Sequence, residues 1–103
     1  MKLIKFNLKV GKKDKSIDLK MYKSTSQLQV IKPSKYHDSL VIIVADLKNI
    51  LILESEKMIL VSTFKQDASI YELGLIGSAN IIVTTNSFHK IQFYDLNNIP
   101  MLK

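Results

Sequence analysis

The sequence predicts a mainly β fold, with about eight short antiparallel strands closing into a small barrel or sandwich. Three observations carry this prediction. Apolar and polar residues alternate near both ends of the chain, the period of two that belongs to half-buried strands. The middle is dense in β-branched and aliphatic residues, as in LVIIVA and MILVSTF, which suit a pleated surface. The breaks between these runs are short and polar, the length of hairpin connections.

Ile4, Phe6, Leu8 and Val10 alternate with Lys5, Asn7 and Lys9, so they define a first strand with its polar side outward. Gly11 to Lys15 reads as a polar turn, and Ile17, Leu19 and Met21 alternate with Asp18, Lys20 and Tyr22 as the returning strand. This pair is expected to be a hairpin. A third strand, Gln27 to Ile31, stops before Pro33, because proline withdraws a ladder donor. Leu40 to Ala45 is apolar throughout, the pattern of a strand covered on both faces. The segments ILIL and MILVSTF follow after breaks at Asp46–Asn49 and Glu54–Lys57. Residues 67–77, DASIYELGLIG, read as a short helix: Asp67 suits the N-cap and Gly77 the C-terminal left-handed position. Ile70, Leu73 and Ile76 would share one face. The interior Gly74 and β-branched Ile70 and Ile76 keep a strand open as the alternative. IIVTT and KIQFY close the chain as a last hairpin.

A chain of 103 residues with 47% hydrophobic content is expected to fold as one domain, residues 1–103, on a single core. A basic hairpin region, 1–35, precedes an apolar, strand-rich region, 36–103. The first holds ten lysines against Asp14 and Asp18, a net +8; the second holds five lysines against seven acids, a net −2. Every cation is lysine. Lysine attracts polyanions but lacks the planar fork with which arginine reads phosphates and guanine edges. The absence of cysteine removes disulfides and thiolate metal sites and suits a reducing compartment. The start lacks a signal-type apolar core, and the longest apolar run is far too short to span a bilayer. A cytoplasmic location without a membrane span is the expectation.

Residues 39–55, SLVIIVADLKNILILES, echo residues 78–96, SANIIVTTNSFHKIQFYDL, with offsets of 39 and then 41 residues across a two-residue insertion in the turn. Periods near 40 with paired strands are the signature of propeller blades. Phe93-Tyr94-Asp95-Leu96 stands where WD40-like blades carry Trp-Asp after their last strand, so residues 39–98 resemble degenerate WD40-like β-propeller blades. The Gly-His pair and the Trp of that family are absent. The resemblance implies propeller blades too few to close a ring, so a partner or a second copy would be needed to complete it.

Residues 67–86, from Asp67 through Ile-Val-Thr to Asn86, are similar to the C-terminal helix–strand unit of PIN-domain ribonucleases. That resemblance implies a metal-binding carboxylate at Asp67, a polar partner at Asn86 and Mg²⁺-assisted phosphodiester cleavage. The acid that the family carries at the end of its first strand has no counterpart in Leu3–Val10, and Asp46 is the substitute at hand.

Other chemistry is sparse. His37 beside Asp38 and His89 in a hairpin turn read as solvated loop residues, since neighbouring residues cannot readily hydrogen-bond while facing one substrate. Glu54 and Glu56 read as a solvated turn. No phosphate-cradling glycine loop appears, and no cofactor is expected. The leading reading is a non-enzymatic interaction module. In it Lys5, Lys9, Lys12, Lys13, Lys15, Lys20 and Tyr22 form a basic hairpin face that, with exposed strand edges, engages an acidic protein surface or another copy of the chain. The alternatives are nucleic-acid binding by the same face, with Tyr22 stacking a base, and a minimal PIN-like ribonuclease centred on Asp67.

Overall fold

The structure is a computed structural model that describes residues 2–9, 11–31, 39–76 and 80–96. Within them lie nine strands in three antiparallel sheets. Strands β1 (Lys2–Asn7) and β2 (Lys12–Asp18) form a hairpin. Strands β3 (Thr25–Ile31), β4 (Leu40–Ala45), β5 (Asn49–Glu54) and β6 (Ile59–Lys65) form a four-stranded meander. Strands β7 (Ile70–Ile76), β8 (Ile81–Asn86) and β9 (Ile91–Asp95) form a three-stranded one. The fold is mainly β and sandwich-like, as the sequence predicts.

The four-stranded sheet is the middle layer. Leu40, Ile42, Val44, Ile50 and Ile52 face the β7–β9 sheet and pack with Ile70, Leu73 and Ile82. Ile43, Ala45, Leu51 and Leu53 face the other way, with Leu3, Ile17 and Tyr22 of the hairpin region packed against them. This double cover explains why LVIIVA and ILIL carry no polar alternation: each successive side chain enters one core or the other.

The helix expected over 67–77 is absent from the described residues: 67–69 belong to the connector, β7 takes Ile70–Ile76, and Gly77 lies outside the described residues. The helical spacing has a physical source. The β7–β8 register shifts between Ile70 and Glu72, and the extra residue puts Ile70 and Leu73 on one face, mimicking an i, i+3 pair. Tyr71, Glu72 and Gly74 are exposed; β-branched Ile70 and Ile76 favour the strand, and Gly74 weakens a helix.

The first hairpin also differs from expectation. The break between its strands ends at Gly11 with φ 65°, a backbone position that glycine takes without a Cβ clash. Lys12, Lys13 and Lys15 therefore lie within β2, not in a turn, and residues 19–24 form a connector, not a strand.

The sheets repeat one another pair by pair. β3 shifts register against β4 between Thr25 and Gln27, just as β7 does against β8 between Ile70 and Glu72. Ser24 and Ser69, each preceding the first strand, accept hydrogen bonds from Asp46 N–H and Ser87 N–H at 2.9 Å. Ala45 pairs with Asn49 across the β4–β5 turn, and Asn86 N–H bonds Lys90 C=O across the β8–β9 turn. The β4–β5 and β8–β9 hairpins therefore correspond at a constant spacing, that of Leu40 to Ile81 or Ile52 to Phe93. The two-residue insertion read from the sequence echo is not needed. β1–β2 repeats β5–β6 equally well: in each, the second strand follows a residue of positive φ (Gly11, Met58) and carries a bulge. Lys5 thereby corresponds to Ile52 and Ile4 to Leu51.

Candidate interaction surfaces

The register divides the lysine-rich hairpin between two faces. Leu3 and Ile17 face the middle sheet, and Lys5 and Lys15, paired two positions along, share that side. Ile4, paired with Ser16, points away and is exposed. The alternation is as predicted but its sidedness is reversed: Lys5 does not lie on an outer polar face. It is half-buried, and its ammonium reaches Asp14 at 3.7 Å and Glu56 in the β5–β6 turn at 3.8 Å. Such part-exposed pairs contribute little to stability, but they draw this cation toward its own molecule.

Lys12, Lys13 and Lys15 are exposed along β2, Lys9 is exposed in the preceding turn, and Lys20 is exposed beyond the strand's far end. A strand of this length runs roughly 20 Å, so the seven residues do not converge. Tyr22 is half-buried against the core beneath the hairpin, with its hydroxyl 3.5 Å from Thr63 Oγ1. It is not an open stacking platform. Around it Asp18, Leu19, Met21 and Leu60 border an open groove of about 390 Å³.

The outer face of β7–β9 is the surface that sequence reading missed. Ile91 and Phe93 are each 63% exposed, whereas Gln92 and Tyr94 between and beside them turn inward. Phe93 pairs with Val83 and Asp95 with Ile81, while Ile76 opposes Ile81 and Gly74 opposes Val83. An apolar strip therefore runs across all three strands, with Glu72 and Asp95 at its margins. The signal was present in the last strand, where a plain alternation would bury Ile91 and Phe93.

A buried polar cluster fixes that inversion. Gln66, in the connector between β6 and β7, donates through Nε2 to Thr84 Oγ1 at 2.7 Å and to the Tyr94 hydroxyl at 2.8 Å. Asn86 Nδ2 donates to Gln66 Oε1 at 3.1 Å, and Tyr94 donates to Gln92 Oε1 at 2.7 Å. Buried amides and hydroxyls demand such partners, so Tyr94 and Gln92 are held inward. Burial pushes the Tyr94 hydroxyl above its ordinary pKa, against the opposing hydrogen bond from Gln66. The Tyr94 ring also packs on Phe64 of the middle sheet, with centroids 4.5 Å apart.

The other connector is held by Asp46. Its carboxylate accepts the Lys23 and Ser24 N–H groups, both at 3.0 Å, and these bonds lower its pKa.

The remaining sequence candidates stay apart. Asp67 is an exposed residue of the β6–β7 connector, not a helix cap. Asn86 is buried and committed to Gln66 and to the Phe88 and Lys90 amides. His89 is exposed in the β8–β9 turn, Glu56 faces Lys5, and the His37–Asp38 pair lies outside the described residues. Among the described residues, no three His, Asp or Glu side chains are grouped as a metal site would require, and no helix is long and apolar enough to cross a membrane. No protein-family model, curated protein or solved structure matches the chain.

Proposed function

We propose that the chain is a non-enzymatic protein-interaction module: a partial stack of blade-like sheets that a further β-sheet of a protein partner extends. One observation carries the reading. The strip formed by Ile81, Val83, Ile91 and Phe93 corresponds, residue for residue, to Leu40, Ile42, Ile50 and Ile52, which the next sheet buries completely. Exposed apolar strips across a whole sheet are uncommon on free-standing proteins and mark contact surfaces. The occupant is argued from the same correspondence: what covers the middle sheet is another sheet carrying Leu73, Ile82 and Tyr94. In this reading the repeated registers are those of successive blades, with the ring supplied by the partner.

In this reading the lysines of the first hairpin act at longer range. The exposed Lys12, Lys13 and Lys15 raise the encounter rate with an acidic partner, and a chain without cysteine suits a cytoplasmic setting. A photoreactive phenylalanine analogue at position 93, illuminated in extract from the native host, tests the reading. It should form adducts mapping to alternating apolar residues of a partner strand, and the same group at position 92 should not. Absence of any adduct at 93, or equal labelling at both positions, would refute it.

A further inference from the structure

At the opposite end of the stack, the middle sheet shows a second vacancy, independent of the β7–β9 face. The shared register shifts put Leu28 and Val30 of β3 where β7 has Leu73 and Leu75. Leu73 is 6% exposed, yet Leu28 and Val30 are 50% and 59% exposed. The cause lies in the neighbouring layer. The hairpin supplies only the counterparts of β5 and β6. In the middle sheet β4 lies beside β5, and its Leu40, Ile42 and Val44 pack into the core that covers Leu73. Beside β1 no strand occupies that place among the described residues. An open groove of about 260 Å³ is found there, lined chiefly by Leu3, Ile4, Lys5, Leu28, Val30 and Val41. It continues the interface already formed under the hairpin by Val41, Ile43 and Leu53.

We infer that this groove takes an extended β-strand of a protein partner, added antiparallel to the open edge of β1, with alternate apolar side chains over Leu28, Val30 and Val41. Main-chain pairing supplies affinity in strand addition, and the alternate side chains supply specificity. The chemistry of the strand follows from copying β4 against β5. Residues opposite Leu3 and Lys5 take the places of Val44 and Ile42 and are apolar. The residue opposite Lys2 takes the place of Ala45 on the other face, where a carboxylate forms a favourable cross-strand pair. Lys5 leaves room because Asp14 and Glu56 draw its ammonium aside. The hairpin, residues 2–18, has six lysines against two aspartates, so acidic flanks on the strand are favoured as well.

The test uses a fluorescein-labelled peptide copying residues 39–45 with Ala45→Glu and two leading glutamates for solubility. A control peptide of equal charge has serine at the positions of Leu40, Ile42 and Val44. The expected result is saturable anisotropy binding at least tenfold tighter than the control, with slowed amide exchange in residues 2–7. Val30→Lys should weaken binding at least tenfold while keeping the wild-type circular dichroism, and Phe93→Lys should leave it unchanged. Leu28→Glu replaces Val30→Lys if the latter folds poorly. Equal binding of the control peptide, full binding by both groove variants, or protection at the edge of β6 or β9 would overturn the assignment. Loss with Phe93→Lys alone would also overturn it, while leaving the proposed role of the β7–β9 face standing.

Discussion

Ile52 and Phe93 occupy the same place in successive sheets, yet Ile52 is fully buried and Phe93 is 63% exposed. The stacking rule that buries one is therefore left open at the other. Replacing apolar groups that are mostly exposed should cost the fold little and reduce association. For the double variant Ile91→Ser, Phe93→Ser we expect unfolding free energy within about 0.5 kcal/mol of wild type. Its sedimentation at high concentration should show less association than wild type. A large loss of stability would mean the face is already covered by the chain itself.

The Gln66 cluster should behave as a cooperative anchor between the middle and outer sheets. Gln66→Ala strands Thr84, Asn86 and Tyr94 at once, so a loss of about 2–3 kcal/mol is expected in urea unfolding. Tyr94→Phe removes one hydroxyl from that network and should cost about 1 kcal/mol. In a spectrophotometric titration, Tyr94 should ionise above the ordinary tyrosine value, because burial disfavours its phenolate. Ionisation of Tyr94 at or below that ordinary value would contradict its packing.

Much of this architecture is legible in the sequence. The uniformly apolar Leu40–Ala45 and Ile50–Leu53 announce strands covered twice, and the spacing of the two inner hairpins announces a repeat. Three features are not legible, each for a physical reason. The bulge after Ile70 converts strand spacing into helical spacing, and no single residue type marks a bulge. The sidedness of β1 turns on whether Leu3 or Ile4 faces the core, and alternation alone allows both. The inward turn of Gln92 and Tyr94 depends on Gln66, more than 25 residues earlier, so no local window contains it. The basic face built from Lys5 to Tyr22 fails for the second of these reasons: its members share a segment but not a side.

Asp46 should give the fold an acid-sensitive component. Its folded-state pKa lies below the ordinary carboxylate value of about 3.9. A depressed carboxylate contributes stability that is fully present above the unfolded pKa and is lost as pH falls through the folded one. Wild type should therefore lose stability below about pH 4, and Asp46→Asn should flatten that part of the profile. Parallel profiles for the two proteins from pH 6 to pH 2.5 would contradict the capping role.

Leu47 sits at φ 67° with its side chain half exposed, in a region where a Cβ is strained. Its carbonyl accepts the Ile70 N–H at 2.7 Å, which keeps the backbone there. Leu47→Gly retains that carbonyl and relieves the strain, so a gain of up to about 1 kcal/mol is expected despite the added chain entropy. Thermal unfolding measures it; a clear drop in Tm would place the side chain in a contact that holds the turn.

The most direct measurement compares Phe93→Lys with Gln92→Lys in denaturant unfolding. Ordinary intuition ranks the loss of a phenylalanine as the graver change. The sidedness of β9 predicts the reverse. Phe93→Lys should stay within about 0.5 kcal/mol of wild type, and Gln92→Lys should lose about 1–3 kcal/mol by removing the acceptor of the Tyr94 hydroxyl and setting a charge in its place. A severe loss for Phe93→Lys together with a neutral Gln92→Lys would contradict the account at its root.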